Sequence, residues 1–426
     1  MDGKVYSGKN VQSVYRENRA AVVDIVRRYG PVSKPDIARM TGLTTVSATN
    51  IIRDLVALGF IKEKGIGKST GGRRAVLYDI NGEGKYSICV DMSDKDIKVA
   101  VVDLAGRIIS SANFHVKPGE NTLMLDLIRA LDTFIKTRVS MREQILGIGV
   151  AVPGISDPET GTVLVSYPLG WRNVPLKTML TQAFSYPVFI TKETAAAILG
   201  EHYFGEKTDV KNLLYLNIFD GIGVGLMVDG RIHRGADGVA GEIGHTVIDM
   251  DGPECECGNR GCLERVASMK ALVEYVDGML NAGRDSVLST AERDQEGKIP
   301  VSAISQAARQ GDAVAMEAIQ KVAGYLAAGI VNLSRILNPD VIFLSGKIIE
   351  KGQPLFEEIG RAINKFRPIL DERVPVKISS LGESARLLGA SIPVFEAAFE
   401  RHIRQRSAAQ RSAIQGTATQ RTAARK

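Results

Sequence analysis

The chain is 426 residues long, 44% hydrophobic and 24% charged, which predicts two or three domains with a sizeable core and excludes a small stapled scaffold. Four cysteines, three of them within eight residues, exclude a disulfide framework and point to a reducing cytoplasm; no apolar run nears the roughly 18 residues of a membrane span, and Met1-Asp2-Gly3-Lys4 opens no signal-peptide core. The net charge of +6 is partitioned: residues 1–82 hold 14 Lys/Arg against 7 Asp/Glu, residues 401–426 hold 7 and no acid, and residues 83–400 hold 33 against 41, so a basic head is expected to meet a polyanion.

In the head, Ala20, Val23, Val26 and Arg27 at helical spacing predict the stripe of a first helix over 15–29, ended by Gly30-Pro31. Ser33-Lys34-Pro35-Asp36 predicts a second: Ser33 caps, Pro35 is tolerated in the first turn, and Asp36 stands where a capping-box acid would. It breaks at Thr41-Gly42. Thr44 or Thr45 caps a third helix with Val46, Ala48, Ile51, Ile52, Leu55 and Leu58 inward, closing at Gly59. Two short helices around a glycine-containing turn form a helix-turn-helix. Its second helix offers Thr45, Ser47, Thr49, Asn50 and Arg53 to base edges or phosphates. Residues 60–64 and 75–78 predict a hairpin whose tip, with Lys68, Arg73 and Arg74, suits a wing against phosphate or the minor groove. Residues 1–82 thus read as a winged helix-turn-helix that binds double-stranded DNA.

The body reads as duplicated α/β. Strands are expected at 87–92, 97–104 and 107–116, a helix at 122–139, and an apolar strand at 145–152 before Pro153-Gly154. A second opening of the same kind follows at 213–219, 223–228 and 231–233, and the hairpins share Val102-Asp103-Leu104-Ala105-Gly106-Arg107 and Val228-Asp229-Gly230-Arg231. A repeat spaced by more than 100 residues is a duplicated domain, with mixed sheets covered by helices and a ligand in the cleft between halves. The halves are placed at roughly 83–195, with the C-terminal helix, and 196–385. Residues 401–426 carry no large apolar pattern and read as a basic disordered tail.

Cys255, Cys257 and Cys262 form C-x-C-x4-C, with His245 ten residues upstream. Three thiolates and one imidazole make a tetrahedral Cys3His zinc site, and four protein ligands leave no open position for water, so the metal is expected to be structural. Cys89, alone on an apolar strand, reads as core. Glu242 and Glu264 each offer two acceptors to vicinal hydroxyls, and His245 could orient a hydroxyl through its second nitrogen. Trp171, the sole tryptophan, either stacks on a sugar or fills core.

Gly241-Glu242-Ile243-Gly244-His245, the run Cys255–Glu264, Gly235-Ala236-Asp237-Gly238 and the segment 169–176 together resemble the ROK family (repressors, open reading frames and sugar kinases), in its transcriptional-regulator branch, across residues 1–400. The resemblance implies an actin/hexokinase-like fold, a homo-oligomer (homodimer or homotetramer), and a sugar bound in the interdomain cleft, with Glu242, His245 and Glu264 in the matching sugar motifs; the operator is expected to be an inverted repeat. It also shows departures from the kinases. The D-x-G-G-T phosphate loop is matched by Asp91-Met92-Ser93-Asp94-Lys95, and the second loop, G-T-G-x-G, by Phe219-Asp220-Gly221-Ile222-Gly223. The late G-G-G reads Ser345-Gly346-Lys347, and the Asn-Asp pair bearing the catalytic base aligns with Lys192-Glu193. Phosphoryl transfer needs phosphates, Mg²⁺ and base held to about half an ångström, and all four elements are altered.

The expectation is a sugar-responsive repressor of carbohydrate genes without enzymatic activity. Its rivals are an active sugar kinase that kept a DNA-binding head, and a regulator controlled by a sugar-transport protein. Lys192 and Glu193 are both placed at the sugar, either paired with each other or with Lys192 turned to a phosphate. Three carboxylates against one ammonium favour a neutral sugar.

Overall fold

The computed structural model describes residues 11–67, 74–93, 95–116, 122–140, 142–206, 210–294, 296–349, 352–366 and 374–401. It divides into one unit of residues 1–150, 175–190 and 390–426 and another of 151–174 and 191–389.

The head opens with α1 (Val11–Tyr29), which ends where Gly30-Pro31 removes a backbone donor. β1 (Val32–Ser33) leads into α2 (Lys34–Thr41), whose first turn is held by the Ser33 cap. The Ser33 hydroxyl accepts the Asp36 N–H at 3.3 Å and donates to the Asp36 carboxylate at 2.6 Å. Gly42, at φ 69°, closes α2, and Thr44 caps α3 (Thr45–Ala57) by accepting the Ser47 N–H at 3.2 Å. β2 (Ile61–Ile66) and β3 (Val76–Ile80) form the hairpin, and β1 pairs with β3. Lys68 and Arg73 lie outside the described residues; Arg74 is exposed beside the hairpin.

Two faces differ from expectation, both through helical phase. The buried stripe of α1 is Arg19, Val22 and Val26, while Ala20 is exposed, 200° from Val22 at 100° per residue. Arg19 pairs inside with Asp54 of α3. On α3 the inward set is Ala48, Ile51, Ile52 and Leu55; Val46 is not inward but 71% exposed, again 200° from Ala48.

The first lobe continues with β4 (Tyr86–Met92), β5 (Asp96–Asp103), β6 (Ile108–His115), α4 (Leu123–Arg138) and β7 (Ile145–Val152). β8 (Ile155–Ser156), β9 (Val163–Ser166) and β10 (Trp171–Val174) make a small antiparallel sheet, followed by α5 (Leu176–Ala183) and β11 (Val188–Lys192). The main sheet has the order β11-β7-β4-β5-β6.

The second lobe holds α6 (Glu193–Phe204), β12 (Leu213–Ile218), β13 (Ile222–Val228), β14 (Arg231–Ile232), α7 (Leu263–Ala267), α8 (Met269–Asn281), α9 (Val301–Arg309), α10 (Ala313–Leu337), β15 (Val341–Ser345), α11 (Pro354–Ile363) and β16 (Val376–Ile378). Its sheet, β14-β13-β12-β15-β16, repeats the order of the first: a meander, then two later strands on the other side. The duplication read from the two hairpins is therefore a duplicated sheet. Both faces of β12 are buried. Leu214, Leu216 and Ile218 join the core under α7–α11, whereas Leu213 and Tyr215 pack with Ala197, Ile198 and Ala385. α10 is long and apolar enough to cross a membrane, but more than half of its most apolar stretch is buried in the protein.

The head does not stand apart from the first lobe. Val22, Ile51, Leu55, Phe60 and Tyr78 share one core with Leu104, Phe395 and Phe399, and the Phe60 and Phe399 rings meet edge to face at 5.3 Å. The last two come from a helix over residues 384–401. Thus residues 1–82 fall in one unit with residues 83–150 and 175–190 of the first lobe, while the small sheet β8–β10 belongs to the other. The tail beyond residue 401 lies outside the described residues.

Candidate metal centre and carboxylate cluster

The metal candidates and the sugar candidates Lys192, Glu193, Glu242, His245 and Glu264 all fall in residues 191–389, within one unit. The sulfurs of Cys255, Cys257 and Cys262 and a ring nitrogen of His245 all lie within 4.8 Å of one another. Cys257 Sγ is 3.6 Å from Cys262 Sγ, and Cys255 Sγ is 3.7 Å from His245 Nδ1. Zinc–sulfur bonds of about 2.3 Å at tetrahedral angles subtend roughly 3.8 Å between sulfurs, so the donor set fits such an ion. All four cysteines are free. The thiols also oppose one another: the Asn259 N–H holds Cys257 down at about 7, whereas burial and its thiol neighbours push Cys262 up to about 12. A divalent cation removes that opposition by taking all three as thiolates.

Close backbone contact builds this loop. A Cβ on Gly261, at φ 64°, would lie 1.4 Å from the Asp249 carbonyl oxygen, so only glycine lets the chain pass there. The Asp249 carboxylate in turn accepts the Tyr325 hydroxyl of α10 at 2.7 Å. Upstream, a Cβ on Gly244 would meet the Ile222 carbonyl oxygen at 2.2 Å, which explains the glycine between Glu242 and His245: the turn at Ile243–His245 lies flat on β13.

Cys262 immediately precedes α7, at its N-cap position, and Glu264 sits in the first turn. The Glu264 Oε2 accepts the Ile222 N–H at 2.7 Å, tying the metal loop to the turn between β12 and β13. That turn is the segment aligned with a phosphate loop, and one of its amides is thereby occupied by a carboxylate. Burial keeps the Glu264 carboxyl above its ordinary range, opposed by the Ile222 N–H and His245.

Lys192 ends β11 and Glu193 starts α6. Lys192 does not pair with its neighbour: its ammonium bonds the carboxylate of Glu242, fifty residues on. Glu193 is left with a buried Oε2 that accepts no hydrogen bond, while its Oε1 lies 3.8 Å from where a Cβ on Gly223 would be. Burial pushes this carboxyl up to about 7, against the pull of Lys192 and with repulsion from Glu242. Arg386, missed in the sequence, adds a favourable charge to Glu193 and stacks over the Phe219 ring at 5.3 Å; nothing local marks a residue 193 positions away. Trp171 is half-buried on β10.

Elsewhere, the segment aligned with the first phosphate loop is a tight turn. Ser93 donates its N–H to the Asp96 carbonyl at 2.9 Å, and its hydroxyl accepts the Asp96 N–H at 2.9 Å. Asp94 lies outside the described residues. On the head, Thr45, Asn50 and Arg53 are exposed and Ser47 and Thr49 are half-buried, all on α3.

Residues 87–396 match the profile of the ROK family. The chain belongs to the ROK family. It is 35% identical over 379 residues to the xylose repressor of Caldicellulosiruptor bescii, covering 87% of this chain and 94% of that relative. It is 31% identical over 356 residues to the DNA-binding transcriptional dual regulator NagC of Escherichia coli, covering 83% and 86%. Among solved structures, a ROK family transcriptional regulator described as a homolog of the E. coli MLC protein superposes with TM-score 0.77 at 28% identity, covering 90% of this chain and 96% of that one. A ROK family glucokinase from Streptomyces griseus, in complex with glucose and AMPPNP, superposes with TM-score 0.64 at 28% identity, covering 72% and 97%.

Proposed function

We propose that the protein is a sugar-responsive transcriptional repressor that binds an inverted-repeat operator as a homodimer or homotetramer and has no kinase activity. The observation that carries this reading is the coverage. The regulator structure accounts for 90% of this chain, whereas nearly the whole glucokinase accounts for 72%, so the kinases lack a counterpart for a segment the size of the head. The head carries the capped α3 with Thr45, Ser47, Thr49, Asn50 and Arg53, and a hairpin beside which Arg74 is exposed, with Lys68 and Arg73 assigned to its tip by the sequence. These are the parts with which a winged helix-turn-helix reads the major groove and holds phosphates.

The sugar is held by Glu193, Glu242, His245 and Glu264, with Lys192 shaping the site through its bond to Glu242. Carboxylates suit hydroxyls, and the unpartnered Glu193 Oε2 is supplied with a donor when one arrives. His245, Cys255, Cys257 and Cys262 hold a structural zinc, which crosslinks the loop that places Glu264. Loss of phosphoryl transfer follows from the Ser93 turn, the exposed Asp220 and the replacement of the catalytic base pair by Lys192-Glu193.

The test joins two measurements on the full chain. Duplexes are enriched from a randomised library, and a sugar panel is screened for raised melting temperature. The hit should change affinity for the enriched duplex. Because the Lys192 ammonium is engaged by Glu242, a neutral hexose or pentose should bind more tightly than its phosphate. A sugar phosphate bound 5- to 150-fold more tightly, about 1–3 kcal/mol, and losing that advantage in Lys192→Met, would make the phosphate the effector.

A further inference from the structure

The inference concerns Val46 and rests on the reading of α3 as the helix that enters the major groove. α3 has one face of Ala48, Ile51, Ile52 and Leu55 turned into the core. Its opposite face carries Thr45, Val46, Asn50 and Arg53, all exposed, with Val46 at 71%. In the turns that hold Thr45, Asn50 and Arg53 the other exposed side chains bear hydrogen-bonding groups or charge; the one further exposed hydrocarbon of the helix, Ala57, is a single methyl at its C-terminal end. A lone β-branched hydrocarbon there brings no packing within the fold and is a poorer helix former than alanine.

Its position gives it a use. Val46 is the second residue of α3, in the turn fixed by the Thr44 cap, and in helix-turn-helix docking the N-terminal residues of the second helix meet the base edges. Asn50 and Arg53 follow at i+4 and i+7, on the same face. Among the features displayed in the major groove, the thymine C5-methyl is the apolar one. The polar, basic surround suits a nucleic acid groove better than an apolar protein surface.

We propose that Val46 is a specificity residue that packs on the C5-methyl of one thymine in each operator half-site. Deoxyuridine is thymidine without that methyl and keeps the base pairing, so the contact is testable one atom at a time. The probe is the duplex enriched by the full-length chain, with each thymine replaced in turn by deoxyuridine, titrated against wild type and Val46→Ala. Removing a buried methyl should weaken wild-type binding about fourfold, the equivalent of about 0.8 kcal/mol, at one thymine per half-site. At that position Val46→Ala should lose nothing further, and its melting temperature should equal or exceed wild type because the side chain is exposed and alanine favours helix.

An enriched duplex in which wild type and Val46→Ala respond identically to every replacement would overturn the inference while leaving the regulator reading intact. A lowered melting temperature with uniformly weaker binding to all duplexes would also overturn it, by making Val46 a packing residue. Failure to enrich any duplex would overturn the regulator reading and this inference together.

Discussion

Glu193 combines a buried carboxylate oxygen without a hydrogen-bond partner and a carboxyl raised by burial. Its buried, unpartnered Oε2 and its rise to about 7 from an ordinary 4.5 make its protonated form the one that favours folding. For an acid raised in this way, stability is fully present below about pH 4.5 and is lost as pH climbs through 7. Replacing it with glutamine, which keeps the shape and drops the charge, should remove that loss. Glu193→Gln and wild type should melt alike near pH 4.5, and the variant should be more stable at pH 8, by at most about 3 kcal/mol; a thermal melt of the sugar-free protein at the two pH values checks this. The ion pair beside it was invisible in the sequence. Lys192 stands next to Glu193 in the chain, but β11 ends and α6 begins between them, and that change of direction sends the ammonium to Glu242 instead.

Among the elements, the loop 245–262 and the short α7 are continuous, because Cys262 directly precedes the helix in which Glu264 accepts the Ile222 N–H. On the proposed zinc reading, loss of the metal is expected to reach the carboxylate cluster. Cys257→Ala should drop bound zinc from one per chain to none by elemental analysis, lower the melting temperature, and weaken the sugar-induced shift as well. Full retention of the sugar shift in a metal-free variant would separate the two sites. The helix over residues 384–401 joins other elements in the same way. Phe399 sits edge to face on Phe60 in the core common to head and first lobe. Truncating it should cost about 3–5 kcal/mol, seen as an earlier chemical unfolding midpoint of the head and first lobe together; an unchanged midpoint would show that the ring contributes no packing.

At the scale of the whole molecule, the segments aligned with the kinase motifs lie far apart in the chain: the first is the Ser93 turn, the second has its Ile222 N–H taken by Glu264, and the base pair is replaced by Lys192 and Glu193. No common hexose or pentose should be phosphorylated above background. A turnover faster than about 1 s⁻¹, at the low end of typical kinases, in a coupled assay would return the protein to the enzymes. The shared core bears on dissection too. Residues 1–82 made alone would expose Phe60 and its neighbours, so the isolated head should melt at a lower temperature than the head within the full chain.

The sequence by itself determined what depends on neighbours along the chain. The Ser33 and Thr44 caps, the Gly30-Pro31 stop, the strand at 145–152 and the metal quartet are all set by residues within about seventeen positions of one another, where backbone geometry leaves few alternatives. The phase of α3 was legible as well, since 200° separates Val46 from Ala48, and apolar character alone put Val46 on the wrong face. Only the tertiary structure decided the Lys192–Glu242 pair, the hold of Glu264 on Ile222, the charge of Arg386 near Glu193, and the joining of Phe60 to Phe399. Each brings together groups 42 to 339 positions apart. The reason is physical: a charge or a ring takes whichever partner the packed sheets and helices carry to within a few ångströms, and no local periodicity encodes which one that is.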